Sequence, residues 1–247
     1  MSQSEPSSTQ NNFNISGSSI TNLTGSGSIY YNEAIIEAQK QSSQASSQQL
    51  IPEPASDKAS VVKTILFLAA NPQGTSQLRL QEEAREIDAG LQRAKRRDQF
   101  VLEQKWAVRA RDIQRAMLDF KPQIVHFSGH GGGEEGLVLE NKTGNIKFVD
   151  AQALAGLFEL FSLQVECVIL NACYSEVQAE AIIHHIPYVI GMNKAIGDRA
   201  AIEFAVGFYD ALGAGESVEF AYKFGCSSIR MAGIAEHLTP ILNKKSS

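Results

Sequence analysis

Residues 165–175 read V-E-C-V-I-L-N-A-C-Y-S, an apolar run that stops abruptly at small and polar residues. The β-branched Val and Ile suit the pleated surface of a buried strand, so the run predicts a β-strand that ends just before Cys173. Parallel sheets carry their chemistry just beyond the carboxyl ends of their strands. The pattern therefore places Cys173 at the edge of a sheet where a reactive group is expected.

A second stretch, residues 123–133, has the same form. It reads Q-I-V-H-F-S-G-H-G-G-G, a short apolar strand that runs into glycines with His130 at the break. A thiol becomes a strong nucleophile when it loses its proton, and a neighbouring imidazole can accept that proton. Cys173 and His130 at one sheet edge therefore predict a nucleophile and its general base.

Acyl transfer also needs backbone N–H donors aimed at the developing oxyanion. The glycines after His130 allow a close approach of the backbone, so the N–H groups of Gly131 and of Cys173 itself are the candidate donors. The competing interpretation of a lone cysteine at a strand end is a small buried hydrophobe, and Cys167 and Cys226 fit that interpretation.

The remaining histidines lack a glycine loop or a cysteine partner and are interpreted as structural or exposed. They are His126, His184, His185 and His237. His126 and His130 are four residues apart on a strand and loop, which does not bring two imidazoles onto one helical face. Neither a metal site nor a cofactor is predicted.

The composition limits the classes of partner. The chain has 247 residues, a formal net charge of −5 and three cysteines. An acidic balance gives no broad attraction to nucleic acid or an anionic membrane, so neither is expected as a partner. The cysteine count argues for a reducing compartment. The N-terminus lacks secretory-signal character, and no apolar run reaches the roughly 18 residues of a membrane span. We therefore expect a soluble cytoplasmic protein.

Residues 1–60 are rich in Ser, Gln, Asn, Thr and Gly, unlike the rest of the chain. Such a segment cannot bury enough apolar surface to offset its ordering entropy, so a low-complexity, flexible leader is predicted. Within it, residues 12–31 alternate apolar and polar residues at strand period, with almost no charge and no proline. The alternative for this part is a β-prone segment that self-assembles.

From residue 61 to residue 243, predicted strands alternate with predicted helices. The strands cover residues 61–70, 100–108, 124–128, the run before Cys173 and 188–192, with a hairpin at 136–149. The helices cover residues 78–97, 109–120, 150–161, 177–185, 198–212 and 218–231. The basic run at 95–97 is predicted to end its helix through the macrodipole. This alternation predicts an α/β domain with a mostly parallel sheet and helices on both faces.

Several of these stretches resemble CHAT domains, bacterial relatives of caspases and separases in the caspase-like cysteine protease clan. The matching stretches include I-L-F-L-A-A-N-P at 65–72, L-R-L at 78–80, H-F-S-G-H-G at 126–131, L-N-A-C-Y-S at 170–175, V-I-G-M at 189–192, D-R-A-A at 198–201 and F-Y-D-A-L at 208–212. The resemblance identifies residues 61–243 as a CHAT peptidase domain. It implies a caspase-like three-layer α/β/α fold, a protein or peptide substrate and hydrolysis by a dyad of Cys173 and His130.

The resemblance also indicates where a substrate would bind. Asn171 holds the position two residues before the nucleophile, where caspases have a glutamine and metacaspases an aspartate, and a neutral side chain there decides nothing about specificity. Asp198 resembles the acidic residue with which separases hold a P1 arginine, and a carboxylate there would give a basic P1 preference. The alternative is that Asp198 caps its own helix.

CHAT domains often act as effectors of bacterial defence or programmed cell death. This implies an upstream sensor, or self-association through residues 12–31 like that of amyloid signalling segments, which raises the effective concentration. Two other classes stay open. The first is a non-catalytic caspase-like signalling scaffold assembled through its N-terminal segment. The second is a flavodoxin-like nucleotide binder that uses the glycines at 129–133, although no phosphate-loop motif accompanies them.

Overall fold

The computed structural model describes residues 62–246, and the predicted leader at 1–60 with its β-prone segment at 12–31 lies outside them. Strands and helices alternate along the described part. The strands are β1 (Lys63–Ala70), β2 (Phe100–Lys105), β3 (Ile124–Gly131), β4 (Leu137–Glu140), β5 (Ile146–Val149), β6 (Cys167–Asn171), β7 (Tyr188–Met192) and β8 (Pro240–Lys244). The helices are α1 (Leu80–Arg93), α2 (Ala110–Phe120), α3 (Ala151–Glu159), α4 (Glu176–Ile182), α5 (Asp198–Ala214) and α6 (Val218–Met231).

The main sheet has the strand order β2-β1-β3-β6-β7-β8. Its first five strands are parallel, and β8 runs antiparallel to β7. The hairpin of β4 and β5 extends from the end of β3. The mostly parallel sheet predicted from the sequence is confirmed. Strand β8 was not predicted, because five residues that read P-I-L-N-K give no clear strand signal until β7 is there to pair with them.

Helices cover both faces of the sheet because its central strands are apolar on both sides. Along β1, Ile65 and Phe67 enter one core, while Leu66 and Leu68 enter the other. Helices α1, α5 and α6 pack on the first face, and α2, α3 and α4 pack on the second. This is the predicted three-layer α/β/α arrangement. No helix within residues 62–246 is long and apolar enough to span a membrane.

Helix α1 ends earlier than its pattern predicts. It stops at Arg93, and Ala94 takes an extended conformation with ψ of 151°. The N–H of Arg96 then donates to the carbonyl oxygen of Gly213 in α5 at 3.0 Å. The prediction that the basic run 95–97 ends the helix is therefore wrong. The run follows the helix, because a tertiary backbone hydrogen bond turns the chain toward α5.

The loops at the carboxyl ends of the parallel strands form one edge of the molecule. Residues 71–79 follow β1, the glycines follow β3, residues 172–175 follow β6 and residues 193–197 follow β7. This edge holds Cys173, His130 and Asp198, and it is the candidate functional site.

Candidate functional site

His130 and Cys173 end neighbouring parallel strands. The register between β3 and β6 runs from Ile124 opposite Cys167 to Ser128 opposite Asn171. His130 and Cys173 each lie two residues beyond that last pair, so they are at the same level of the sheet edge. The topology therefore brings together the two residues that the sequence pairs as nucleophile and base.

Gly131 sits directly against the cysteine loop. A Cβ atom on Gly131 would lie 2.0 Å from the carbonyl oxygen of Cys173, a distance that real contacts do not allow. The sequence suggested that these glycines admit a substrate. In the structure, Gly131 is needed for a different reason: without a side chain, it lets the backbone around Cys173 pack against the end of β3.

The ring of His130 is oriented by two acceptors. Its Nε2 lies 3.1 Å from Oδ1 of Asn71 and 2.9 Å from the carbonyl oxygen of Ser76. A nitrogen that faces two acceptors must carry a proton, so this environment places an N–H at Nε2 and leaves Nδ1 as the ring nitrogen that can accept one. Nδ1 has no hydrogen-bond partner within residues 62–246. His130 is thus held in the tautomer that leaves one nitrogen free to accept a proton.

The sequence alone did not reveal these two supports. In the sequence, Asn71 is marked only by its place in the matching stretch at 65–72, and Ser76 contributes its backbone, which no motif records. The position of Asn71 after β1 is a usable signal, since β1 and β3 are neighbours and their ends must meet.

The thiol of Cys173 is half-buried and points toward the next loop. Its Sγ lies 3.7 Å from the carbonyl oxygen of Ile196, and no hydrogen bond joins it to His130 in the described part of the chain. The backbone N–H of Cys173 has no acceptor among residues 62–246, whereas the N–H groups of Ala172 and Tyr174 donate to the carbonyl oxygens of Leu170 and Lys194. A free N–H beside the thiol is the kind of donor that an oxyanion needs.

The other two cysteines lie in different surroundings. Cys167 is fully buried in β6, and burial raises the pKa of its thiol far above the usual range. Burial also raises the pKa of the Cys226 thiol, to about 11. A protonated thiol is a poor nucleophile. Neither cysteine is placed for attack on a substrate, in keeping with the structural role that the sequence assigned to both.

Beneath the edge lies a buried polar group, here called the Glu83 cluster. It consists of Glu83, His126, Ser128, Asn171 and Tyr209, all at most 3% exposed. Ser128 Oγ donates to one carboxylate oxygen of Glu83, and Asn171 Nδ2 donates to the other at 2.7 Å. The cluster ties α1 to β3 and β6, two residues before His130 and two residues before Cys173.

His126 extends the cluster to α5. Its Nδ1 lies 3.1 Å from the hydroxyl of Tyr209, and its Nε2 lies 3.1 Å from a carboxylate oxygen of Glu83, off the direction of a good hydrogen bond. Burial raises the pKa of Tyr209 well above its usual value, so the hydroxyl keeps its proton and donates to Nδ1. The ring proton of His126 then lies on Nε2, where it faces the Glu83 carboxylate.

Asn171 is a member of this cluster. Its amide nitrogen contacts Glu83 and the carbonyl oxygen of Ala201, and only 3% of the residue is exposed. The structure therefore places Asn171 under the sheet edge, with its amide group engaged by protein atoms. Its predicted part in substrate binding stays a prediction.

Asp198 is also engaged. Its Oδ2 accepts from Nε of Arg79 at 2.6 Å, and its Oδ1 accepts from the backbone N–H of Arg79 at 3.0 Å. Gly197 is the N-cap of α5, and within residues 62–246 no side-chain cap hydrogen bond is formed at this end of the helix. The alternative that Asp198 caps its own helix is wrong, because its carboxylate is turned toward the start of α1.

The glycine loop has a support that the sequence did not indicate. Gln178 in α4 is fully buried, and its amide nitrogen donates to the carbonyl oxygen of Gly133 at 2.7 Å. Gly133 has a φ of 60°, which glycine adopts without strain. This hydrogen bond holds the loop that follows His130 against the helix that follows Cys173.

The fold and this edge define a class of protein, namely a three-layer α/β domain with a cysteine and a histidine at the ends of adjacent parallel strands. The chain belongs to the CHAT domain family, whose model matches residues 27–222.

Two curated relatives are similar to part of the chain. One is named a Roc-COR-CHAT protease, from an unknown prokaryotic organism, and is 27% identical over 175 residues. The other is named a probable protease, from Gillisia limnaea, and is 27% identical over 150 residues. The matches cover 68% and 60% of this chain but only 16% and 26% of the relatives.

Among solved structures, the crystal structure of the Drosophila initiator caspase Dronc aligns with a TM-score of 0.47 and 9% sequence identity. The alignment covers 74% of this chain and 79% of that chain.

Proposed function

We propose that this protein is a cysteine endopeptidase with Cys173 as nucleophile and His130 as general base. The observation that carries the proposal is the pairing of the two residues at the ends of β3 and β6, together with the two acceptors that hold the His130 proton on Nε2. That tautomer leaves Nδ1 to take the thiol proton.

The chemistry proceeds in two stages. Sγ of Cys173 attacks the scissile carbonyl carbon while its proton passes to Nδ1 of His130, and the resulting oxyanion accepts hydrogen bonds from the N–H groups of Cys173 and Gly131. His130 returns the proton to the leaving amine, which departs as the thioester forms. Water, deprotonated by His130, then hydrolyses the thioester and frees the thiol.

The test is cleavage by the purified full-length chain, profiled against a proteome digest or a peptide library. Cys173→Ala and His130→Ala are expected to abolish cleavage, whereas Cys226→Ala and His185→Ala, which change the same residue types elsewhere, are expected to retain it. Circular dichroism and thermal melting establish that each variant folds. Retained cleavage by folded Cys173→Ala protein would refute the proposed nucleophile.

A second candidate function is a non-catalytic signalling scaffold. It is favoured by one observation, that the Cys173 thiol faces the carbonyl oxygen of Ile196 and makes no hydrogen bond to His130 within residues 62–246. A thiol-reactive peptide probe separates the two functions. Labelling of Cys173 alone supports a peptidase, while equal labelling of Cys173 and Cys226, at the rate of a simple thiol, supports the scaffold.

The biological setting is proposed from the family resemblance. We expect an effector of bacterial defence or cell death that acts on protein substrates, with a basic P1 preference read by Asp198. Activation would come from an upstream sensor or from self-association through residues 12–31. A peptide of residues 10–34 that remains monomeric and thioflavin-negative at high concentration would exclude self-association through this segment.

A further inference from the structure

The loops on either side of the proposed dyad are joined by one residue pair. Arg79 ends the loop after β1, and Asp198 follows the loop after β7. Both oxygens of Asp198 accept from Arg79, one from Nε at 2.6 Å and one from the backbone N–H at 3.0 Å. Nη1 of the same guanidinium also donates to Glu82 at 2.9 Å.

Each partner of this pair lies close to a member of the dyad. Ser76, three residues before Arg79, contacts Nε2 of His130 through its carbonyl oxygen. Ile196, two residues before Asp198, contacts the thiol of Cys173 in the same way. Two residues of extended chain span at most about 7 Å, so the backbone of Asp198 lies within about 7 Å of that of Ile196, whose carbonyl oxygen contacts the Cys173 thiol. The pair therefore joins the two loops that contact the two members of the proposed dyad.

A guanidinium bound to a carboxylate is also the contact that a P1 arginine would make with Asp198. We propose that Arg79 is an internal competitor for P1, a specificity residue that occupies the Asp198 carboxylate until a basic substrate side chain displaces it. This inference rests on the proposed peptidase function and deepens it. In this proposal the Asp198 carboxylate binds a guanidinium in both states, that of Arg79 without substrate and that of the P1 arginine with substrate.

The surroundings allow such an exchange. The Arg79 side chain is 50% exposed and that of Asp198 is 28% exposed, so solvent screens the pair and displacing one guanidinium by another costs little. Glu82 is a second partner one turn into α1 and can keep the Arg79 charge paired after displacement. The backbone N–H of Arg79 continues to hold Oδ1, so the carboxylate stays oriented while Oδ2 changes partner.

The experiment compares two peptide substrates that differ only in P1, arginine or alanine. In Arg79→Ala protein, kcat/KM for the arginine substrate is expected to rise about fivefold, mostly through a lower KM, since a screened surface pair is worth about that factor. The value for the alanine substrate is expected to stay unchanged. Asp198→Asn removes the preference, and adding Arg79→Ala to it has no further effect.

The matched control is Arg85→Ala, which removes an arginine of α1, the helix that begins after Arg79; the partner of Arg85 is Glu86. It is expected to leave both substrates unaffected. Binding is measured independently in Cys173→Ser protein by calorimetry with the same two peptides, where Arg79→Ala should tighten binding of the arginine peptide about fivefold.

The two readouts separate the inference from the function on which it rests. If the unaltered enzyme cleaves the arginine substrate and Arg79→Ala protein cleaves it with the same kcat/KM, the competitor role is overturned and the peptidase function stands. If Arg79→Ala tightens binding of the arginine peptide but the unaltered enzyme cleaves neither peptide, the competitor role is supported and the peptidase function is overturned. Weaker binding of the arginine peptide in Arg79→Ala protein also overturns the competitor role, because it would make Arg79 part of the substrate site.

Discussion

The start of helix α1 carries two ionisable side chains that the fold treats in opposite ways. Glu83 is 2% exposed and is bonded to Ser128 and Asn171 from two different strands. Arg79, one turn earlier, is half exposed and is bonded to two other surface carboxylates. Burial makes the difference. When a buried partner is removed, the remaining polar groups have neither water nor protein to form hydrogen bonds with, whereas at the surface water replaces a lost partner.

The largest effect is expected for Glu83→Ala. It leaves the buried donors of Ser128 and Asn171 without the carboxylate that accepts from both. Each buried polar group left unsatisfied costs about 1–3 kcal/mol, so we expect the free energy of unfolding to fall by about 2–5 kcal/mol. Urea denaturation measures the change. Glu82→Ala, which alters the adjacent exposed carboxylate, is the control and should cost less than about 1 kcal/mol. Equal losses would remove the distinction between the two regions.

The next effect is expected for Gly131→Ala, which tests steric closeness in place of charge. The added methyl would meet the carbonyl oxygen of Cys173 and push the ends of β3 and β6 apart, at a cost of about 1–3 kcal/mol. The labelling rate of Cys173 should change with it. Gly156→Ala is the control, because nothing lies within 4 Å of its added Cβ in α3, and it should stabilise the protein by about 0.5–1 kcal/mol. A neutral Gly131→Ala variant would contradict the packing described.

Tyr209→Phe probes the far end of the Glu83 cluster. The substitution keeps the ring and removes only the hydroxyl at Nδ1 of His126, so a loss of about 1 kcal/mol is expected. Thermal melting measures it, and Tyr222→Phe offers a less buried comparison, since that hydroxyl donates to the carbonyl oxygen of Pro240. If the loss exceeds that of Glu83→Ala, the cluster is organised around the histidine and not the carboxylate.

The smallest effect concerns an exposed ion pair between α6 and the outermost strand β8, away from the candidate site. Glu219 accepts from Lys244 at 3.0 Å and from the hydroxyl of Tyr188 at 3.1 Å, and the bond to Lys244 is the main reason that the pKa of Glu219 is lowered to about 2. A lowered folded pKa gives stability that is present above the usual carboxylate value, about 4.3, and lost as the pH falls toward 2.

We therefore expect the amide protons of β8 to exchange faster, relative to those of β6, as the pH drops from about 5 to about 2. The comparison with β6 cancels the intrinsic pH dependence of exchange. In Glu219→Gln protein the ratio should be flat over that range. An unchanged ratio in the unaltered protein would show that β8 is held by its backbone ladder alone.

The sequence predicted what depends on local pattern. Apolar runs located the main parallel strands, and the helix predicted to begin at residue 150 starts there, with Asp150 as N-cap accepting from the N–H of Ala153. The pairing of His130 with Cys173 needed only the rule that parallel strands share one carboxyl edge. The sequence also allows one inference about faces. Residues 126, 128 and 130 are two apart along β3, so their side chains face the same side of the sheet, which is the side of α1.

Contacts between distant segments could not be predicted. No local rule says that Asp198 turns to Arg79, that Asn171 turns down to Glu83, or that Ser76 offers a carbonyl oxygen to His130. Each depends on how a loop after one strand meets a loop or helix from another. The same limit explains β8 and the early end of α1, since both are decided by partners far along the chain.

The order of strands in the sheet also has a consequence for the nascent chain. His130 lies in β3 and Cys173 follows β6, but the carbonyl of Ile196 and the carboxylate of Asp198 come only after β7, which pairs with β6. A chain interrupted on the ribosome before β7 therefore holds the thiol and the imidazole without the loop that borders them. Because parallel pairing between distant strands forms late, the complete edge appears only after β7 and the loop that follows it have been synthesised, and translation products that end before β7 lack it.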